Sequence, residues 1–188
     1  MSNASATQNV WLVVIDMQVI FGMPGSDWFT PGYPEIEPTV QRLVRGFGER
    51  VVFTRFVAPE HPRGAWIEYY EQWPFALVAA TDPLYELMPA FAGSTAPTVS
   101  RTTFGKWDTE LAELLGPDAT MVLVGVSTDC CVISTALAAA DAGVRVRVVE
   151  DACAGVSELD HRRALDVMAL YTPLITLTNA DEELARLP

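Results

Sequence analysis

The chain has 188 residues, 50% of them hydrophobic and 19% charged, which is the balance of a compact globular protein and excludes a disordered one. Its formal net charge of −12 excludes a nucleic-acid-binding or anionic-membrane-binding surface. No apolar run reaches membrane-spanning length, so neither nucleic acid nor membrane is expected as a partner.

The N-terminal stretch MSNASATQN is polar and lacks the basic-then-apolar pattern of a signal peptide. It reads as a flexible leader over residues 1–9 of a cytoplasmic protein, with one domain over 10–188. WLVVID (11–16) opens that domain as a strand. Residues 11–15 show no polar alternation, which fits a strand covered on both faces, as in a parallel sheet. The loop GMPGSDWFTPGYP (22–34) follows, and then Ile36, Val40, Leu43, Val44 and Phe47 fall on one helical face, stopped by Gly48. VVFTRFV (51–57) is the second strand, and a long Pro-, Gly- and aromatic-rich segment occupies 58–97. PTVS (97–100) is a weaker strand. Asp108 is a candidate N-cap for a helix carrying Leu111, Leu114 and Leu115. TMVLVGV (120–126) is a strand, and Cys131 to Ala142 is nearly all helix former, ending at Gly143. VRVRVVE (144–150), a helix starting at Ser157 or Asp160, and PLITLT (173–178) complete the series. Strands alternating with helices give an α/β fold, an open, doubly wound, mainly parallel sheet of about six strands with helices on both faces.

In such sheets ligands bind beyond the carboxyl ends of the strands. Segments 22–34 and 58–97 are therefore the expected pocket walls. The first strand delivers Asp16 to that edge; the third delivers Ser100 and Arg101, with Lys106 a few residues on. Taken singly, these read equally as a turn carboxylate and solvated loop cations. The fourth strand ends in Gly125 and a short polar turn, and Cys130 and Cys131 open the following helix. A thiol there meets the positive end of the helix dipole, which favours thiolate, and free turn N–H groups can hold an oxyanion. One of the two adjacent side chains is expected to face the crevice and the other the core. Cys153 reads as a small buried packing residue. Three cysteines without C-x-x-C spacing and two distant histidines, His61 and His161, give neither a disulfide framework nor a zinc site.

VVIDMQ (13–18), GVSTDCCVISTALAAADAG (125–143) and the V-x-x-D-A step at 148–152 together resemble the isochorismatase-like cysteine hydrolases, which include nicotinamidases and N-carbamoylsarcosine amidases. The resemblance implies a Rossmann-like three-layer fold and a hydrolase of carbon–nitrogen bonds in small amides. It identifies Cys131, the cysteine directly before the valine, as nucleophile and Asp16 as catalytic aspartate. It implies a cis peptide between Val126 and Ser127, and an oxyanion hole from the N–H groups of Ser127 and Cys131. The catalytic cation is Lys106, the residue type the family uses, with Arg101 as the alternative, because a gapless count back from Trp107 lands there. Nicotinamidases hold a metal just after the second strand. Here those positions carry Phe56 and Ala58, with only His61 nearby, so no metal and no other cofactor is expected.

Phe21, Trp28, Trp66 and Tyr70 are the expected substrate-pocket residues, with Tyr69, Trp73, Phe29 and Tyr33 in the same aromatic set. Core or subunit-interface packing is the competing reading for each. The resemblance further implies a homo-dimer or homo-tetramer acting on a small-molecule substrate. Two other readings of the chain remain: an idle or ligand-binding member of the fold, and a thiol redox protein using Cys130 and Cys131.

Overall fold

The structure, a computed structural model, describes residues 9–188. The leader expected over 1–9 lies outside these except for Asn9, which is tied down. Its side-chain amide donates to the carbonyls of Leu115 (2.8 Å) and Pro117 (3.1 Å), and its side-chain oxygen accepts from the Trp11 indole at 2.8 Å.

Six strands form one sheet: β1 (Val10–Ile15), β2 (Val51–Phe56), β3 (Thr98–Arg101), β4 (Thr120–Val126), β5 (Arg145–Ala154) and β6 (Ile175–Thr178). Their spatial order is β3-β2-β1-β4-β5-β6, and every pairing is parallel. The chain runs outward in one direction from β1 to β3 and in the other from β4 to β6. The order therefore reverses between β1 and β4, where the crevice of an open α/β sheet lies.

The helices are α1 (Val19–Gly22), α2 (Tyr33–Phe47), α3 (Trp66–Gln72), α4 (Thr109–Leu115), α5 (Ile133–Asp141), α6 (Glu158–Ala169) and α7 (Ala180–Ala185). Three begin at side-chain caps: Asp108 accepts from the Leu111 N–H, Ser157 from that of Asp160, and Asn179 from that of Glu182. The uninterrupted apolar run of β1 has its explanation in two cores. Val13 and Ile15 pack with Leu111, Leu115, Ala136, Ala139, Leu165 and Met168 from α4, α5 and α6. Leu12 and Val14 pack on the opposite face with Tyr33, Ile36, Val40, Leu43 and Phe47 of α2 and Ala180 of α7. Alternate residues thus enter different helix layers, and both must be apolar.

β5 extends four residues past its expected end. Its register against β4 slips, so that Leu123 pairs with Val148 and Gly125 with Cys153. No helix among the described residues is long and apolar enough to cross a membrane.

Candidate active site

Asp16 ends β1 at φ 48°, the left-handed region that aspartate tolerates better than most side chains, and is fully buried. Its Oδ1 accepts a 2.6 Å hydrogen bond from Thr54 Oγ1, and the same hydroxyl oxygen accepts from the Asp16 N–H at 3.2 Å. Thr54 comes from β2, the neighbouring strand. Lys106 lies in the loop between β3 and α4 and is also fully buried. Its Nζ is 3.0 Å from Asp16 Oδ2, donates to the Thr103 carbonyl at 2.7 Å, and lies 5.1 Å from the centroid of the Phe56 ring.

Of the two candidate cations, Lys106 is the one that reaches Asp16. Arg101 turns to Asp108 and Glu110, and those carboxylates hold its guanidinium above the ordinary arginine range. The Lys106 backbone is anchored as well. Its N–H donates to Thr135 Oγ1 at 3.0 Å, and that hydroxyl donates to the Cys131 carbonyl at 2.6 Å. One side chain of α5 therefore joins the cation loop to the cysteine turn.

That turn begins with Gly125 at φ 112°, where a Cβ would overlap the Ile15 carbonyl, so only glycine lets β4 run this close to the end of β1. The Val126–Ser127 peptide is cis. Residues Thr128–Val132 then form a π-helical turn, an uncommon geometry found frequently at functional sites, and α5 proper starts at Ile133 rather than at Cys131. The Ser127 carbonyl accepts from the N–H groups of Cys130 and Val132, at 3.1 Å each, and not from the intervening Cys131 N–H. Thr128 Oγ1 pairs with His161 Nδ1 of α6 at 2.8 Å, and Asp129 Oδ1 accepts from the Val156 N–H at 2.9 Å. The turn is therefore held on its back by the segment after β5.

Cys131 is 3% exposed and close enough to the Asp16 carboxylate for that group to act on its thiol. Burial pushes its thiol well above the usual thiol range. Lys106 pulls the other way, while the Asp16 charge and hydrogen bond add to the rise. Desolvation and the Asp16 charge therefore oppose the thiolate that the helix dipole favours. Nor do the two cysteines split between crevice and core: both line the same cavity, Cys131 at its floor and the part-exposed Cys130 on its wall. Burial and Asp129 raise the Cys130 thiol too. Cys153 is a core residue whose thiol burial pushes up to about 12.

The cavity above Cys131 has a volume of about 390 Å³. Phe21 and Trp28 line it, their rings stacked 6.0 Å apart at 7°. Trp66 and Tyr70 do not. Trp66 packs behind the wall against Phe56 and Phe104, and Tyr70 is 3% exposed within that same cluster. The residues that do face the cavity here are Tyr69 of α3 and Trp73, which caps its C-terminal end. Phe56, Phe104, Asp27, Phe29, Thr30 and Val156 complete the lining with Ser127. Phe56 was readable only as a vacant metal position. Its backbone N–H donates to Gln18 Oε1 at 2.8 Å and its carbonyl accepts from Gln18 Nε2 at 3.0 Å, so the glutamine of VVIDMQ seats this wall.

The metal positions of the nicotinamidase type hold no donor set. Phe56 presents a ring, and Ala58 carries no ligating side chain. His61 lies on a separate shallow surface with Tyr70 and Glu71. Among the described residues no group of three or more His, Cys, Asp or Glu side chains is placed to share a metal ion.

A model of the isochorismatase domain matches residues 10–180. Among curated proteins, the Xenopus laevis isochorismatase domain-containing protein 2 is 27% identical over 139 residues. That alignment covers 72% of this chain but only 58% of the relative, so the chain spans little more than half the relative's length. Two solved structures are similar over nearly the whole chain. A cysteine hydrolase from Pseudomonas syringae pv. phaseolicola 1448A superposes with a TM-score of 0.83 at 20% identity, covering 95% of this chain and 92% of that one. An Acinetobacter baumanii nicotinamidase pyrazinamidease does so with a TM-score of 0.76 at 25% identity, covering 95% and 99%.

Proposed function

The chain belongs to the isochorismatase family of hydrolases, and from that premise we propose that it cleaves a carbon–nitrogen bond of a small amide-type substrate through a thioester on Cys131. The observation that carries this reading is a thiol at the floor of a largely apolar cavity with a carboxylate and an ammonium paired beneath it. An idle member of the fold has no need to keep a fully buried ion pair beside a cysteine.

The chemistry follows from the protonation states. Asp16 takes the Cys131 proton as the sulfur attacks the substrate carbonyl carbon, so no free thiolate accumulates. Negative charge moves to the carbonyl oxygen, which the N–H groups of Ser127 and Cys131 receive. The protonated Asp16 then delivers that proton to the departing nitrogen, the C–N bond breaks, and ammonia or an amine leaves a thioester. Water next gives its proton to Asp16 and adds to the thioester carbonyl. The C–S bond breaks, the carboxylic acid is released, and the sulfur regains its proton from Asp16. Lys106 pairs with one oxygen of the Asp16 carboxylate while Thr54 holds the other. The cavity walls exclude bulk water, which strengthens each of these electrostatic terms.

The test is ammonia or amine release across a panel of small amides, carbamoyl compounds and ureides, with Cys131→Ala and Asp16→Asn in parallel. Release by the wild-type chain that both substitutions abolish is the expected result. Release that survives Cys131→Ala removes the thioester from the mechanism.

A further inference from the structure

The proposed chemistry leaves open what the cavity holds beyond the scissile bond, and its walls carry a sign preference. Phe21, Trp28, Tyr69, Trp73 and Phe104 present aromatic rings to the space over Cys131. The carboxylate of Asp27, exposed at the mouth, is the one formally charged side chain among the described lining residues, and it makes no ion pair among them. Among the described residues, no arginine, lysine or histidine lines the cavity. The nearest cation, Lys106, is fully buried beneath the floor and already committed to Asp16 and the Thr103 carbonyl.

A carboxylate on the substrate would lose its water in this space and meet aromatic rings with no counter-ion among them, and a like charge at the rim. Its remaining candidates for partners are the turn N–H groups, and the reacting oxygen needs those. A cationic group meets the opposite situation: Asp27 balances it, and the aromatic lining offers it rings to stack against. Tyr69, whose phenol burial holds protonated across the working range, supplies a donor for a neutral acceptor but no counter-charge for an anion. The whole-chain charge of −12 acts in the same direction.

We infer that the site takes amides whose non-reacting part is flat and either cationic or uncharged, and turns away amides that carry a carboxylate, with Asp27 and the aromatic walls setting that order. This rests on the amidase reading for the location of the reacting end, but it is a statement about binding and can be measured without turnover.

Three probes of the same outline isolate charge: benzamide, its 4-trimethylammonio derivative and its 4-carboxylate derivative. Dissociation constants are measured on the Cys131→Ala chain by quenching of its tryptophan fluorescence, and kcat/KM on the wild-type chain. The cation is expected to bind about tenfold more tightly than benzamide, in line with a desolvated cation–π contact, and the carboxylate more weakly than benzamide. Asp27→Asn is expected to shrink the cation-to-carboxylate ratio at least about threefold, each constant being referred to benzamide on the same variant. A carboxylate that binds as tightly as benzamide, a ratio unmoved by Asp27→Asn, or no binding of any probe overturns the inference. Binding in the expected order with no hydrolysis of any amide overturns the amidase reading and leaves the charge order standing. Hydrolysis without the charge order does the reverse.

Discussion

Asp16 and Lys106 neutralise one another without contact with solvent, so removing either alone leaves a buried charge with no counter-ion. Lys106→Met is expected to cost about 3–5 kcal/mol in stability and to abolish amide hydrolysis. Arg101→Ala, which breaks pairs with part-exposed partners, is expected to cost no more than about 1 kcal/mol and to leave turnover within a few-fold. Urea unfolding and ammonia release on the two variants check both. If Arg101→Ala silences the chain while Lys106→Met does not, the cation has been misassigned. Both residues stand as candidates in the sequence, and the count back from Trp107 lands on the one that does not reach Asp16. What decides the matter is direction: Arg101 finds Asp108 and Glu110 nearby in its own loop, whereas Lys106 is drawn inward by Thr103 and Asp16. Thr54, Thr103 and Thr135 were invisible at that stage, because each acts through a hydrogen bond to an element distant in sequence, or through a backbone carbonyl that no motif records.

The elements themselves were largely legible. All six strands and the capping residues Asp108 and Ser157 follow from apolar runs and side-chain chemistry that act locally. The aromatic wall was not, and α3 shows why. Trp66 and Tyr70 form one i, i+4 stripe, while Tyr69 and Trp73 form the stripe beside it. A turn of about 60° about the helix axis decides which stripe faces the cavity, and with aromatics on both stripes the pattern carries no preference. The cysteine turn depends on contacts of a similar range. Gly125→Ala would place a methyl group against the Ile15 carbonyl and hold alanine at φ 112°. It is expected to destabilise the chain by at least about 3 kcal/mol, read as a lowered urea midpoint; an unchanged midpoint would mean that β1 and β4 can part without penalty. His161 braces the same turn from α6. Burial lowers its folded-state proton affinity below that of the unfolded chain, so the folded state binds fewer protons as acid is added. Its contribution is whole above the unfolded value of about 6.5 and is lost as pH falls below it. The wild-type urea midpoint should therefore drop more steeply below that pH than the midpoint of His161→Gln. Parallel curves would assign the acid sensitivity elsewhere.

At the scale of the whole molecule, a net charge of −12 surrounds one largely apolar cavity. Salt screens that field over about 10 Å at 0.1 M. Raising the salt is therefore expected to lower kcat/KM for a cationic amide and to leave that for a neutral amide of the same shape nearly constant. Equal salt dependence for both would locate the effect in folding rather than in encounter. The site is also spread along the chain in a particular sequence. Asp16 comes first, Lys106 some ninety residues later, and Cys131 and Thr135 after that, with the hydroxyl of Thr135 holding both the cation loop and the cysteine turn. A ribosome delivers these parts in that same order. A nascent chain halted before residue 135 already holds Asp16, Lys106 and Cys131, yet lacks the hydroxyl that fastens the second to the third. That hydroxyl arrives only after both neighbours of β1, the strands β2 and β4, are in the chain, so the fastening comes last, onto a sheet whose central pairings can already form.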